Sequence, residues 1–175
     1  MSPSKITRIT LMAALVGFTA TATATAATVT DIISDKDTIV FGAPTDRIEF
    51  KMSGFKSMPA GDLAASTQVG DWAVTTKNPD GLRLAISFGT NHIPVAGVGT
   101  DVVSANLKSD VGNAFDVVLK ANGEDGTETV TQQGAKWLVS TAETQELKGL
   151  ISSYGEQNVK ADSYPFVLNA AVYNI

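Results

Sequence analysis

Arg47-Ile48-Glu49-Phe50-Lys51-Met52 is the stretch on which the fold turns. Apolar side chains at 48, 50 and 52 alternate with charged ones at 47, 49 and 51. In an extended chain successive side chains point to opposite faces, so this period of two describes a strand with one dry and one wet face. A helix would need its apolar residues three or four apart. The same period recurs further along the chain. Leu82, Leu84, Ile86 and Phe88 alternate with Arg83, Ala85 and Ser87, and Phe115, Val117 and Leu119 with Asp116, Val118 and Lys120. Tyr164, Phe166, Leu168, Ala170 and Val172 carry the pattern to the C-terminus. Shorter candidates are 72–76, 128–132, 136–140 and 147–151.

Turn-forming residues fall between these runs. Asn78-Pro79-Asp80-Gly81 is one turn, and Asn122-Gly123-Glu124-Asp125-Gly126 is expected to be a solvated hairpin turn. Residues 60–65 and 140–147 are the only candidates for a turn or two of helix. Many short strands separated by turns imply an all-β sandwich of the immunoglobulin class, in one domain.

Composition narrows the function. The chain has 175 residues, 18 acidic against 13 basic, a net charge of −5, one histidine and no cysteine. Excess acid argues against a nucleic-acid partner, which selects basic surfaces. Absence of cysteine excludes disulfides, thiol catalysis and cysteine-ligated metals. A single histidine leaves little material for an acid–base triad, and the expectation is a non-enzyme with no cofactor and no metal.

Residues 1–26 read as a secretory signal. Lys5 and Arg8 precede the apolar run Ile9 to Phe18, and Ala24-Thr25-Ala26 fits a small-residue cleavage site. The run is too short for a membrane-spanning helix, which needs about 20 apolar residues. Cleavage removes two positive charges and no negative ones, so the exported remainder is more acidic than the whole chain.

The search for chemistry returns little. His92, in Thr90-Asn91-His92-Ile93-Pro94, has no G-x-S-x-G nucleophile to serve and is expected on the surface. The acidic stretch 122–128 lacks EF-hand spacing. Asp35 and Asp37 flank Lys36 as a wet strand edge would. Trp72 and Trp137 each lie within apolar alternation and are expected as core or interface aromatics.

The segment from Ala27 to Ala43 is more informative. It is extended in type, with Val29, Ile33, Ile39 and Phe41 on one parity, and Pro44 breaks it before the strand at Arg47. Either it is the first strand of its own domain, or it is a tail that completes a neighbouring subunit by strand addition. Periodicity does not separate the two.

The ending, Asn158 to Tyr173 with Ala161-Asp162-Ser163-Tyr164-Pro165 followed by alternating apolar residues, resembles the terminal strand of chaperone–usher pilus subunits, in particular the Saf-type atypical fimbriae. Asp37-Thr38-Ile39-Val40-Phe41-Gly42-Ala43-Pro44 resembles the segment joining the Saf donor strand to the first core strand, and Gly134-Ala135-Lys136-Trp137 a Trp-containing turn of that family. The similarity spans most of the exported chain and thins between Gly61 and Gly126.

The resemblance implies an incomplete immunoglobulin-like sandwich completed by donor-strand exchange, with a signal at 1–26, a donor extension at 27–45 and a pilin domain at 46–175. Ile33, Ile39, Phe41 and Gly42 are then the donor positions. Ile48, Phe50, Met52, Phe166, Leu168, Ala170 and Val172 line the acceptor groove. The implied partners are further subunits in a homopolymer, a periplasmic pilus chaperone, an outer-membrane usher and a host-surface receptor, at a cell-surface fimbrium. The rival expectation is a self-complete secreted sandwich, monomeric without a chaperone.

Overall fold

The computed structural model describes residues 28–35, 48–55, 57–123 and 126–174, with the backbone alone described for 28–35. Twelve strands run in the order β1 (Thr28–Asp35), β2 (Ile48–Gly54), β3 (Gly61–Leu63), β4 (Gln68–Thr76), β5 (Leu84–Phe88), β6 (Ser104–Lys108), β7 (Ala114–Ala121), β8 (Thr127–Gln132), β9 (Ala135–Ser140), β10 (Glu146–Ser153), β11 (Gln157–Val159) and β12 (Leu168–Asn174). They form one five-stranded sheet, β1-β12-β5-β9-β8, a second, β2-β4-β10-β7-β6, and a two-stranded ribbon, β11-β3. All pairings are antiparallel.

Alternation builds the core. Leu84, Ile86 and Phe88 of β5, Leu168, Ala170 and Val172 of β12 and Leu138 of β9 meet Ile48, Trp72, Val74, Val117, Leu119, Leu147 and Ile151 of the opposite sheet in one buried cluster. Trp72 donates its Nε1–H to the Leu150 carbonyl at 3.2 Å, so the largest core side chain is also satisfied as a donor. Gly149 is required beside it. A Cβ there would lie 2.6 Å from the Trp72 ring and would overlap the Lys120 carbonyl oxygen. Both tryptophans are core residues, Trp137 donating to the Gln132 carbonyl at 3.2 Å.

Several expectations are corrected. β5 is buried on both faces, because Ala85, Trp137, Val139, Ala171 and Tyr173 make a second small cluster on the outer side of its sheet. No β7–β8 hairpin forms around residues 122–126: β7 and β8 lie in different sheets, and Glu124 and Asp125 lie outside the described residues. Neither helical candidate forms. Gly61–Leu63 pairs with Val159–Gln157, and Thr144 bridges Leu82, so the backbone groups of both segments are taken by neighbouring chain. The last strand starts at Leu168, not Tyr164; Pro165 has no N–H to give a ladder, and Phe166 precedes the strand.

Candidate strand-docking site

β12 is the pivot of the first sheet. One of its edges pairs in unbroken register with β5, from Leu168 opposite Phe88 to Val172 opposite Leu84. Its other edge pairs with β1, the segment farthest from it in sequence: Thr28, Val29 and Thr30 lie opposite Asn174, Tyr173 and Val172, and Ile33, Ser34 and Asp35 opposite Ala170, Asn169 and Leu168. Between them Asp31 and Ile32 together face the single residue Ala171, which is a β-bulge. The bulge shifts the phase of the strand. Val29 and Ile33, on one parity in the sequence, lie opposite β12 residues of opposite parity, so their shared parity is not kept in the ladder; Ile39 and Phe41 lie outside the described residues.

The structure brings together all seven residues expected to line a groove. Ile48, Leu168, Ala170 and Val172 are in the main core, and Phe50, Met52 and Phe166 are partly buried against it. Six of them lie on β2 and β12, and Phe166 lies just before β12; β2 is the edge of its sheet and pairs only with β4. Phe166 closes the lower end by resting on Gly54, where an added Cβ would stand 3.0 Å from the ring. Of the expected donor positions, Ile33 lies opposite Ala170. Ile39, Phe41 and Gly42 lie outside the described residues, as do Lys36 and Asp37.

The approach to β12 is fixed by His92, which is half-buried and not the surface residue expected from the sequence. The Val167 N–H donates to His92 Nε2 at 2.8 Å, and the Gly89 N–H donates to the Val167 carbonyl at 2.8 Å. The imidazole meets the Phe88 ring edge-on at 6.1 Å. Burial holds its pKa below the ordinary histidine value, and only the neutral ring can accept the Val167 bond. His92 therefore positions the first residues of β12. On the outer face, the Arg83 guanidinium stacks over the Tyr173 ring at 4.8 Å, donates to the Ser140 carbonyl at 2.9 Å and pairs with Glu128. Arg83, with Glu128 on β8 and Tyr173 on β12, thus ties the two strands through one side chain.

A shallow cleft of about 500 Å³ lies between Val118–Ala121 and Thr127–Thr129 and opens to solvent. Among the described residues no buried polar side chain lacks a partner, and no group of three His, Asp or Glu could hold a metal. What the geometry shows is a β12 edge on which β1 lies.

Neither the protein-family models nor the curated proteins contain a match to this sequence. Solved structures do match. The minor tip subunit HdaB of the Escherichia coli Hda pilus superposes with a TM-score of 0.57 at 14% identity, over 74% of this chain and 85% of that one. The Salmonella SafD adhesin gives 0.57 at 17% identity, over 72% and 84%. A structure of the enteroaggregative E. coli AAF fimbriae gives 0.54 at 16%, over 73% and 92%. At these identities the likeness is one of fold: the chain has the all-β, immunoglobulin-like fold of pilus subunits and adhesins, and these neighbours are not enzymes.

Proposed function

We propose that this chain is a structural subunit of an extracellular adhesive pilus, exported with loss of residues 1–26 and polymerised by laying the strand 28–43 of one copy along β12 of the next. The supporting observation is the β12 edge itself. Its inner side is built from Leu168, Ala170 and Val172, and the strand beside it is supplied from the opposite end of the sequence. Between Asp35 and Ile48 lie twelve residues, 36–47, which can reach up to about 40 Å, enough for β1 to lie on its own domain. Laid on a neighbour, a donor strand running to residue 43 leaves 44–47 as the linker. Burying each large apolar side chain at the joint contributes about 1.5–3 kcal/mol, so several in register hold a fibre together.

An unoccupied β12 edge above an apolar seam is an aggregation hazard. A periplasmic chaperone that lends a strand, and an outer-membrane usher at which a subunit strand replaces it, meet that hazard. Host-surface contact belongs to the same proposal; one of the similar structures concerns fibronectin binding by the AAF fimbriae. The self-complete sandwich is kept as a second reading because β1 pairs with β12 of its own chain. Expression of the full chain for export, with and without a pilus chaperone, followed by a denaturing gel of unboiled samples, tests the first against the second. Heat-labile ladders, or a one-to-one chaperone complex needed for solubility, are expected. A clean monomer that folds alone would establish the second reading.

A further inference from the structure

An asparagine followed by glycine can close on its own backbone when both residues are free to turn. The chain has eight asparagines, and only Asn122 precedes a glycine. Three of the others have their side-chain amides engaged: Asn106 donates to Asp116 at 2.7 Å, Asn113 to Asp162 at 2.9 Å and Asn158 to Asp62 at 2.8 Å. Asn78 is followed by Pro79, whose nitrogen carries no hydrogen, and its side chain accepts the Asp80 N–H at 3.1 Å. Asn169 is buried within β12. Asn122 is exposed, and its side-chain amide has no partner among the described residues.

The ladder ends at this residue. The Asn122 N–H donates to the Lys148 carbonyl at 2.9 Å, one step past the last residue of β7. The Gly123 N–H takes no partner among the described residues. Gly123 has a φ of 99°, and an added Cβ would meet nothing within 4 Å. The chain is pinned up to Asn122 and open immediately after it. Asp80-Gly81 is the opposite case, a related pair with its geometry locked. There the Gly81 N–H donates to the Asn78 carbonyl at 3.0 Å, and the Thr144 backbone stands 2.8 Å from where a Cβ would be.

We propose that Asn122-Gly123 is a self-acting modification site, at which the asparagine converts to aspartate and isoaspartate in the folded protein without an enzyme. The Gly123 backbone nitrogen gives its proton to solvent and attacks the Asn122 Cγ. An N–Cγ bond forms, the Cγ–Nδ2 bond breaks, and the departing nitrogen takes a proton from water and leaves as ammonia. Water then opens the succinimide ring at either carbonyl, giving aspartate from one and isoaspartate from the other. Nothing is oxidised or reduced. Ring closure turns the backbone after Asn122, and glycine there has neither a Cβ in the way nor a ladder bond to give up.

The new carboxylate enters a charged recess. Asn122 and Gly123 line a shallow hollow of about 270 Å³ together with Glu143, Glu146 and Lys148. Lys148 already pairs with Glu146 at 2.6 Å, so the added charge competes with Glu146 for that lysine and makes the hollow more acidic. This chemistry is independent of strand exchange.

The full chain, expressed for export and purified, is held folded in mildly alkaline buffer and sampled over days by peptide mass spectrometry. The peptide holding Asn122 is expected to show amide-to-acid exchange many-fold faster than any peptide holding another asparagine. Ammonia is released, and the protein is retained more strongly on an anion exchanger. Asn122→Gln, a change at an exposed side chain, is expected to fold normally and to give no such acidic form, because the longer side chain closes a ring far more slowly. An Asn122 that stays intact in the folded protein and converts only in urea overturns the proposal, as does an acidic form that persists in Asn122→Gln. Isoaspartate forming at Asp80 as fast as at Asn122 overturns it too, since the local geometry would then play no part.

Discussion

The two edges of the first sheet are built in opposite ways. At one edge β8 is stapled to β9 by the two-residue turn Gln133-Gly134, both residues at positive φ (52° and 76°), and six residue pairs follow without a slip. Arg83 pairs with Glu128, and the Thr129 hydroxyl donates to the Asp101 carbonyl at 2.9 Å. At the other edge β1 has no local turn. It reaches β12 across nearly the whole chain, through a bulge. A strand held by a tight turn returns to its partner after every opening, because closing a short loop costs little entropy. A strand held only through a long tether returns less readily, and on the strand-exchange proposal this is the edge that the same strand from another copy can take. On that proposal one edge is permanent and the other exchangeable.

Breaking the lane from the β12 side gives the largest effect. Leu168 is fully buried and sits opposite Asp35 at the foot of the lane, so Leu168→Ala is expected to cost about 2–5 kcal/mol in urea unfolding and to lower the temperature at which multimers dissociate. Breaking it from the donor side separates assembly from folding. Phe41→Asp or Ile33→Asp is expected to abolish ladders while leaving the chaperone complex intact; fibres at normal yield from either variant would remove these positions from the donor strand. The permanent edge responds differently. Gly134→Ala places a Cβ at a φ of 76° and is expected to cost about 1 kcal/mol by thermal denaturation, with ladder yield unchanged.

The smallest effect is a pH dependence from His92. Its native pKa lies below the unfolded value near 6.5, so the unfolded state binds the extra proton first. The stabilisation is complete above about pH 6.5 and is lost as pH falls from there through the lower native value. A denaturation series across that window should show the decline in the wild type and not in His92→Gln, whose side chain does not titrate there. An identical decline in both would show that other groups control it.

Legibility in the sequence followed the physics of each region. The long alternating runs at 48–52, 115–119 and 168–172 declared themselves as strands, since a half-buried strand prints period two directly. The three-residue strands β3 and β11 left no period to read, and tertiary pairing alone makes them strands. β6, Ser104–Lys108, was passed over because its alternation rests on only two apolar residues, Ala105 and Leu107, one of them small. The burial of the seven residues expected to line a groove was legible because core-facing residues of β2 and β12 alternate. The bulge at Asp31–Ile32 was not, since nothing in those two residues signals an extra place in the ladder. His92 was read as a surface group because its acceptor role depends on Val167, 75 residues away.

The central claim is that β1 can occupy the β12 edge of another copy, and a pair of single-cysteine chains tests it most directly. Ile33 and Ala170 are register partners, at a spacing a disulfide can bridge, and the chain has no other cysteine. One chain carries Ile33→Cys, the other Ala170→Cys, and the two are co-expressed for export under oxidising conditions. The account predicts a disulfide-linked pair containing one of each chain. It is contradicted if no such pair forms while a single chain bearing both substitutions closes the bond within itself as a monomer.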